Sequence, residues 1–327
     1  MTANGFSHST GSSRLAPTGA SALLVYALFV IGLVSTPVHS AAQNGADDDG
    51  EVLSLLSYNI HGISGRIAKD DPRDRMPTIG WLAQKYDIVA VQEDFEYHGE
   101  LAQQLAPYSN DYRGNGIWGR PDLVLAKILL FPFFLLVPDF SPPYGAGLSI
   151  FVDQEHDEIN SSLTEAYKDC NGWVSQALDC WSVKGFLRVT VRTEDGAEFD
   201  VYNTHLEAGS SEDDAAVRRK QLFQLAAAVE RLSDRHAVVI VGDFNVETIR
   251  PADRAMILEF RERLELKDSG AAPELANWRE RDMILYREGE HTAMEVESAG
   301  EALEFTGRQS ALSDHAALFA RFRVKLK

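Results

Sequence analysis

The chain is poor in cysteine, in positive charge and in long apolar runs, and each shortage removes a class of protein. Two cysteines in 327 residues, Cys170 and Cys180, exclude a disulfide framework. Their Cys-x9-Cys spacing, with no further cysteine or clustered histidine, is a poor zinc pattern. An exported chain is able to close that small loop as a single disulfide. Lysine and arginine number 31 against 49 aspartates and glutamates, a formal charge of −18. Such a chain repels an extended polyanion unless basic groups are concentrated locally or metal ions intervene. This argues against a nucleic-acid scaffold, and less against a metal-using nuclease. The apolar runs at 20–34 and 123–137 are short for crossing a bilayer. No internal repeat is visible. What is present, 45% hydrophobic and 24% charged residues, gives ample core for one large domain or two small ones.

The first forty residues read as a targeting segment. A polar lead containing Arg14 precedes the apolar run 20–34, then Pro37 and small residues Val38 and Ser40 ahead of Ala41. The pattern predicts a signal peptide over 1–40, cleaved after Ser40, and a secreted or periplasmic protein. An uncleaved anchor is the alternative, because the lead carries one basic side chain. The acidic stretch 41–50 predicts a solvated linker, and 51–327 the catalytic domain.

Strand-like runs fall at 51–60, 87–93, 147–152, 185–192, 199–206, 237–244, 282–287 and 316–324, with helical segments near 75–85, 97–105, 212–233 and 251–264. This is an α/β chain, and strands following strands around 147–206 predict antiparallel pairing as well.

The strands end in polar groups. In "HAVVIVGDFNVE", residues 236–247, a run suited to a sheet covered on both faces breaks into Asp243 and Asn245. Side chains alternate along a strand, so these two share a face and Phe244 turns to the core. Gly-Asp-x-Asn is also good turn chemistry. But Asn59, Glu93, the pair Asn203 and His205, and the pair Asp314 and His315 likewise lie where strands end or begin. Hard oxygen donors with two histidines at the ends of strands suit Mg²⁺ or another hard divalent cation, and phosphoester hydrolysis. His61, His98 and His291 have no partner in view and read as surface or loop residues.

The ordered set "SYNIHGI", "VQED", "NTHLEAG", "GDFN", "ERDMILY" and "SDHAAL" resembles the endonuclease/exonuclease/phosphatase superfamily over roughly 51–326. These metal-dependent phosphohydrolases include deoxyribonucleases, base-excision nucleases, inositol phosphatases and neutral sphingomyelinases. The resemblance implies a four-layer α/β sandwich, two mostly antiparallel sheets flanked by helices, with a site at one rim. It implies that Glu93 binds the metal with Asn59 beside it. His315 becomes the general base, oriented by Asp282. His205 and Asn245 hold non-bridging phosphate oxygens. Asp243 positions water or protonates the leaving oxygen, and Asp314 supports the metal or the local network. Asn203 is expected to touch substrate.

Segments between the motifs bear on the substrate. "CWSVKGFLRVTV" and "YGAGLSIF" resemble bacterial-type neutral sphingomyelinases, with Val183 where that group commonly has asparagine before the lysine. Lys184 either contacts phosphate or caps a strand. The apolar stretch 123–137, in an insertion near 121–143, reads either as core or as an exposed loop that enters a lipid interface. The expected partner is a phospholipid or membrane surface, and no protein partner is predicted. The alternatives are a secreted Mg²⁺-dependent nuclease, for which no basic groove is evident, and a catalytically inactive binding protein.

Overall fold

Along β1 (Glu51–Asn59), Leu53 and Leu55 face one side and Leu56 and Tyr58 the other, and all four are buried. Strand β8 (Ala237–Asp243) does the same, with Val239 and Val241 on one face and Val238 and Ile240 on the other. Strands apolar on both faces need cover on both, and here it comes from a second sheet on one side and helices on the other. The computed structural model describes residues 50–327 apart from 64, 66–70, 108, 117–124, 126–127, 130–144, 157–160, 173–178, 272–280 and 307–311. The expected signal peptide and most of 123–137 therefore lie outside the described residues.

The remaining strands are β2 (Ile88–Gln92), β3 (Ser109–Arg113), β4 (Ser149–Asp153), β5 (Ser162–Ala166), β6 (Gly185–Arg192), β7 (Glu198–His205), β9 (Lys267–Asp268), β10 (Asp282–Arg287), β11 (Thr292–Glu301) and β12 (Leu318–Leu326). They form two six-stranded sheets, ordered β11-β12-β1-β2-β4-β3 and β5-β6-β7-β8-β10-β9. Pairing is antiparallel except at β1–β2 and β7–β8. Parallel neighbours need a crossover, supplied by α1 (Pro72–Ala83) in the first sheet and α3 (Glu212–Leu232) in the second. Helices α2 (His98–Leu105) and α4 (Pro251–Arg263) complete the outer layers. One core fills the space between the sheets, a second lies under α3 and α4, and a third under α1 and α2. This is the four-layer sandwich expected. Helix α3 shows the local logic: a capping box between Ser211 and Asp214 starts it, and Leu222, Leu225, Ala226 and Val229 make its buried stripe.

Strands β3, β5, β9 and β11 escape the sequence pattern, and all four are sheet edges. An edge strand carries polar, exposed side chains, as "SLTEA" of β5 does, because an unpaired apolar edge would recruit another chain. Cys170 and Cys180 are joined in a disulfide. Among the described residues no helix is long and apolar enough to cross a membrane.

His156 ties the molecule together far from the motif residues: Nδ1 meets Asp153 Oδ1 and Nε2 meets Glu51 Oε1, each at 2.5 Å. The bond to Asp153, and then that to Glu51, overcome burial and raise the imidazole to about 9. A raised folded value stabilises fully below the unfolded value near 6.5, and the gain is lost as pH rises through 9. His156→Gln should therefore cost on the order of 2 kcal/mol at pH 6 and almost nothing at pH 10. Urea denaturation at both pH values checks it; an equal loss at both would overturn it.

Candidate active site

The inner faces of both sheets turn polar at one rim. Leu53 and Leu55 of β1 are followed on the same face by Ser57 and Asn59, and Val239 and Val241 of β8 by Asp243. On β10, Asp282 opens the face that continues through Ile284. The parallel pairs β1–β2 and β7–β8 point their carboxyl ends at this rim, the usual ligand position in α/β sheets. Register sets Asp243 beside Asp282 on one side and His205 on the other. Gly242 makes this possible. Its φ is +138°, and a Cβ there would meet the Thr204 carbonyl oxygen at 1.9 Å. Phe244 is buried under the helices, as alternation requires.

Three side chains bend back onto the rim from left-handed backbone: His61 (φ +48°), Glu93 (φ +56°) and Asn245 (φ +51°). Such conformations are costly for residues other than glycine and concentrate at functional sites.

Asp243 lies at the centre. Its Oδ2 accepts from Asn59 Nδ2 at 3.1 Å and lies 3.4 Å from His205 Nε2 and 3.8 Å from His315 Nε2. His315 Nδ1 bonds Asp282 Oδ2 at 2.7 Å, which leaves Nε2 directed towards Asp243. Burial works against the imidazolium, but the Asp282, Asp243 and Asp314 carboxylates outweigh it and raise His315 to about 10. Glu93 accepts from Asn59 Nδ2 at 3.1 Å and lies 3.3 Å from His61 Nδ1. Burial alone would raise it; the His61 and Asn59 contacts hold it at about 2.

Several residues sit differently from their sequence reading. His61 is no lone loop histidine, because it bridges Glu93 and Asp314, each at 3.3 Å. Its position two after Asn59, the same spacing as Asp243 and Asn245, was the available signal. His98 is bonded too, to Asp94 at 2.6 Å and Asp111 at 2.8 Å. His291 is on the surface as expected. Asn203 does not face substrate. Its Oδ1 accepts from Gln92 at 2.7 Å and its Nδ2 donates to the Val91 and Ser149 carbonyls, so its amide staples the two sheets. Asn59 turns its nitrogen to Glu93 and Asp243 while its oxygen accepts from the His61 amide at 3.0 Å. To ligate a cation through oxygen it would have to turn over. Lys184 is neither a free phosphate ligand nor a simple strand cap. It is buried in an ion pair with Asp179 at 2.6 Å, donates to the Leu206 carbonyl at 2.7 Å and lies 3.2 Å from His205 Nε2. Burial, then the Lys184 charge, lower His205 to about 4, so it is neutral at physiological pH.

Asn245 donates through Nδ2 to the Leu206 carbonyl at 3.0 Å and accepts at Oδ1 from Arg281 at 3.1 Å. The loop carrying that carbonyl is itself pinned. Arg218 Nη1 donates to the carbonyls of Glu207, Ala208 and Gly209, and Gln221 Oε1 accepts from the Glu207 amide at 2.7 Å. Arg218, Gln221, Asp179 and Arg281 all escaped sequence reading; the Arg-x-x-Gln spacing of the first two, one turn apart on α3, was a usable clue.

Glu93, His205 and Asp243 each offer a ligand atom within 4.8 Å of the others, as do Asp243, Asp282 and His315. A buried carboxylate, Asp243, and a partly buried one, Glu93, facing each other across one amide nitrogen fit a divalent cation. Glu93 and Asp243 would hold it, and the ion would supply charge neutralisation at a phosphoryl group and a more acidic water.

A two-sheet α/β sandwich with a carboxylate-oriented histidine and an acidic rim defines a hydrolase of the acid–base type. The chain belongs to the Endonuclease/Exonuclease/phosphatase family, whose sequence profile matches residues 56–315. Among curated protein sequences none matches. Similar solved structures include sphingomyelinase C from Streptomyces griseocarneus, at 18% identity and TM-score 0.56, covering 83% of this chain and 99% of that one. The catalytic domain of human Nocturnin with bound sulfate is 18% identical at TM-score 0.60, covering 84% and 94%. Beta toxin from Staphylococcus aureus with bound magnesium ions is 16% identical at TM-score 0.54, covering 83% and 99%. At these identities the likeness concerns the fold.

Proposed function

We propose that this chain is an exported, Mg²⁺-dependent phosphodiesterase that hydrolyses the headgroup of a phospholipid. The observation carrying the lipid substrate is an apolar helical stripe. Leu125, Ile128 and Leu129, at i, i+3 and i+4, are 65%, 58% and 70% exposed. Both roots of the segment that bears them adjoin the acidic rim: Gly114 donates to the Leu148 carbonyl, and Asp94, next to Glu93, donates to the Gly147 carbonyl at 3.0 Å. A soluble substrate gives no reason to expose such a stripe on a segment rooted at the catalytic rim; a bilayer surface does. The Cys170–Cys180 disulfide accords with an oxidising, exported location. With a divalent cation on Asp243 offsetting the carboxylates that raise His315, the imidazole is freed of its proton, and His315, held by Asp282, takes a proton from the attacking water. His205 and Asn245 face the phosphoryl oxygens. Sphingomyelin vesicles, phosphatidylcholine vesicles and plasmid DNA, each with Mg²⁺, test the reading. Turnover of DNA alone would replace it with a nuclease.

Replacing Leu125, Ile128 and Leu129 together by serine should weaken sedimentation with vesicles about a hundredfold or more, because each apolar side chain contributes about 1.5–3 kcal/mol at full burial and about a third to a half of that when partly inserted at an interface. Hydrolysis of a soluble chromogenic phosphodiester and the melting temperature should hardly move, since these side chains are already in solvent. Equal loss on both substrates with a fall in melting temperature would favour the core reading. Phe131, Phe133 and Phe134 of the same run lie outside the described residues.

A further inference from the structure

Arg281 stands one residue ahead of Asp282, and its carbonyl accepts the Phe244 amide at 2.8 Å, so its backbone is fixed against the Asp243–Asn245 turn. Its Nη1 donates to Asn245 Oδ1 at 3.1 Å. A guanidinium has five donors in a rigid fork. In a chain of formal charge −18, among the described residues Arg281 forms no ion pair. Glu247, the acid on the same turn, is taken by Arg250 at 2.7 Å. Of the cations near the rim, Lys184 is neutralised by Asp179, and Arg75 donates to the His61 carbonyl at 2.7 Å on the Glu93 side. A phosphodiester monoanion arriving among Glu93, Asp243, Asp282 and Asp314 needs positive charge on the Asn245 side, away from Glu93, and Arg281 supplies it there.

We infer that Arg281 is a phosphate-binding catalytic residue, the guanidinium donors beyond its Asn245 bond pairing with a non-bridging oxygen beside Asn245. This rests on the phosphodiesterase reading of the rim. Arg281→Ala and Arg281→Lys should each lower kcat/KM on bis(4-nitrophenyl) phosphate about thirtyfold or more, the scale of a lost hydrogen bond to a charged group. Arg281→Ala should also weaken binding of inorganic phosphate, followed by calorimetry, by about tenfold. Added guanidinium ion should restore part of the Arg281→Ala rate and none of the rate of Arg254→Ala, an exposed control on α4. A purely structural role would show as a lowered melting temperature without rescue. If the wild type hydrolyses the diester and Arg281→Ala matches it in rate and phosphate affinity, the inference falls while the phosphodiesterase reading stands. If the wild type binds phosphate through Arg281 but hydrolyses no diester, the reading falls and the phosphate site stands. If the wild type does neither, both fall.

Discussion

His315→Ala is expected to lower kcat by about a thousandfold or more while KM stays within a few-fold, because the imidazole acts as the proton moves and not when substrate docks. The geometry behind this is the 2.7 Å bond from His315 Nδ1 to a buried Asp282. A carboxylate there fixes the tautomer, so that Nε2 is the nitrogen offered to water. Asp282→Asn should cost about a hundredfold or more by presenting a hydrogen where an acceptor is needed. The double variant should be no slower than His315→Ala alone, since residues acting as one unit are non-additive. Steady-state kinetics on a soluble diester decide the matter. A His315→Ala enzyme near the wild-type rate would remove the base assignment.

Glu93→Gln should lose about a hundredfold or more in rate with the fold intact, and excess Mg²⁺ should restore part of it. Glu93 is ionised down to about pH 2 by its His61 and Asn59 contacts, which is the state a cation requires. Glutamine keeps the size and can still accept from Asn59 through its amide oxygen, but it removes the charge and the acceptor facing His61, so affinity for the ion is the property expected to fall. A magnesium titration of both proteins, with a chelator control, measures it. Full turnover of the wild type in chelator would end the metal mechanism.

Most of this site was legible because each polar residue interrupts an apolar strand. Asp243 after Val239 and Val241, and Asn59 after Leu53 and Leu55, break the pattern that burial dictates. Alternation then says which neighbours share a face, and it correctly sent Phe244 to the helix side. The same logic could not separate Asn203 from His205. Both lie on the inner face of β7, one level apart, and only the opposite sheet decides that Asn203 meets Gln92 and the Val91 and Ser149 carbonyls while His205 meets Asp243. The edge strands β3, β5, β9 and β11 were unreadable for the opposite reason: their polar sequences are what keeps an edge from pairing with another chain.

The sequence by itself determined the α/β class, the central strands and the residue types at the rim, because burial imposes periods of two and 3.6 on any chain that must hide its apolar groups. Only the tertiary structure decided the pairings. It set His61 between Glu93 and Asp314, gave Lys184 to Asp179, and put the Arg281 guanidinium on Asn245. Those contacts join residues distant in sequence or reach across a turn through long side chains. A hydrogen bond depends on separations of about 3 Å that no spacing along the chain encodes.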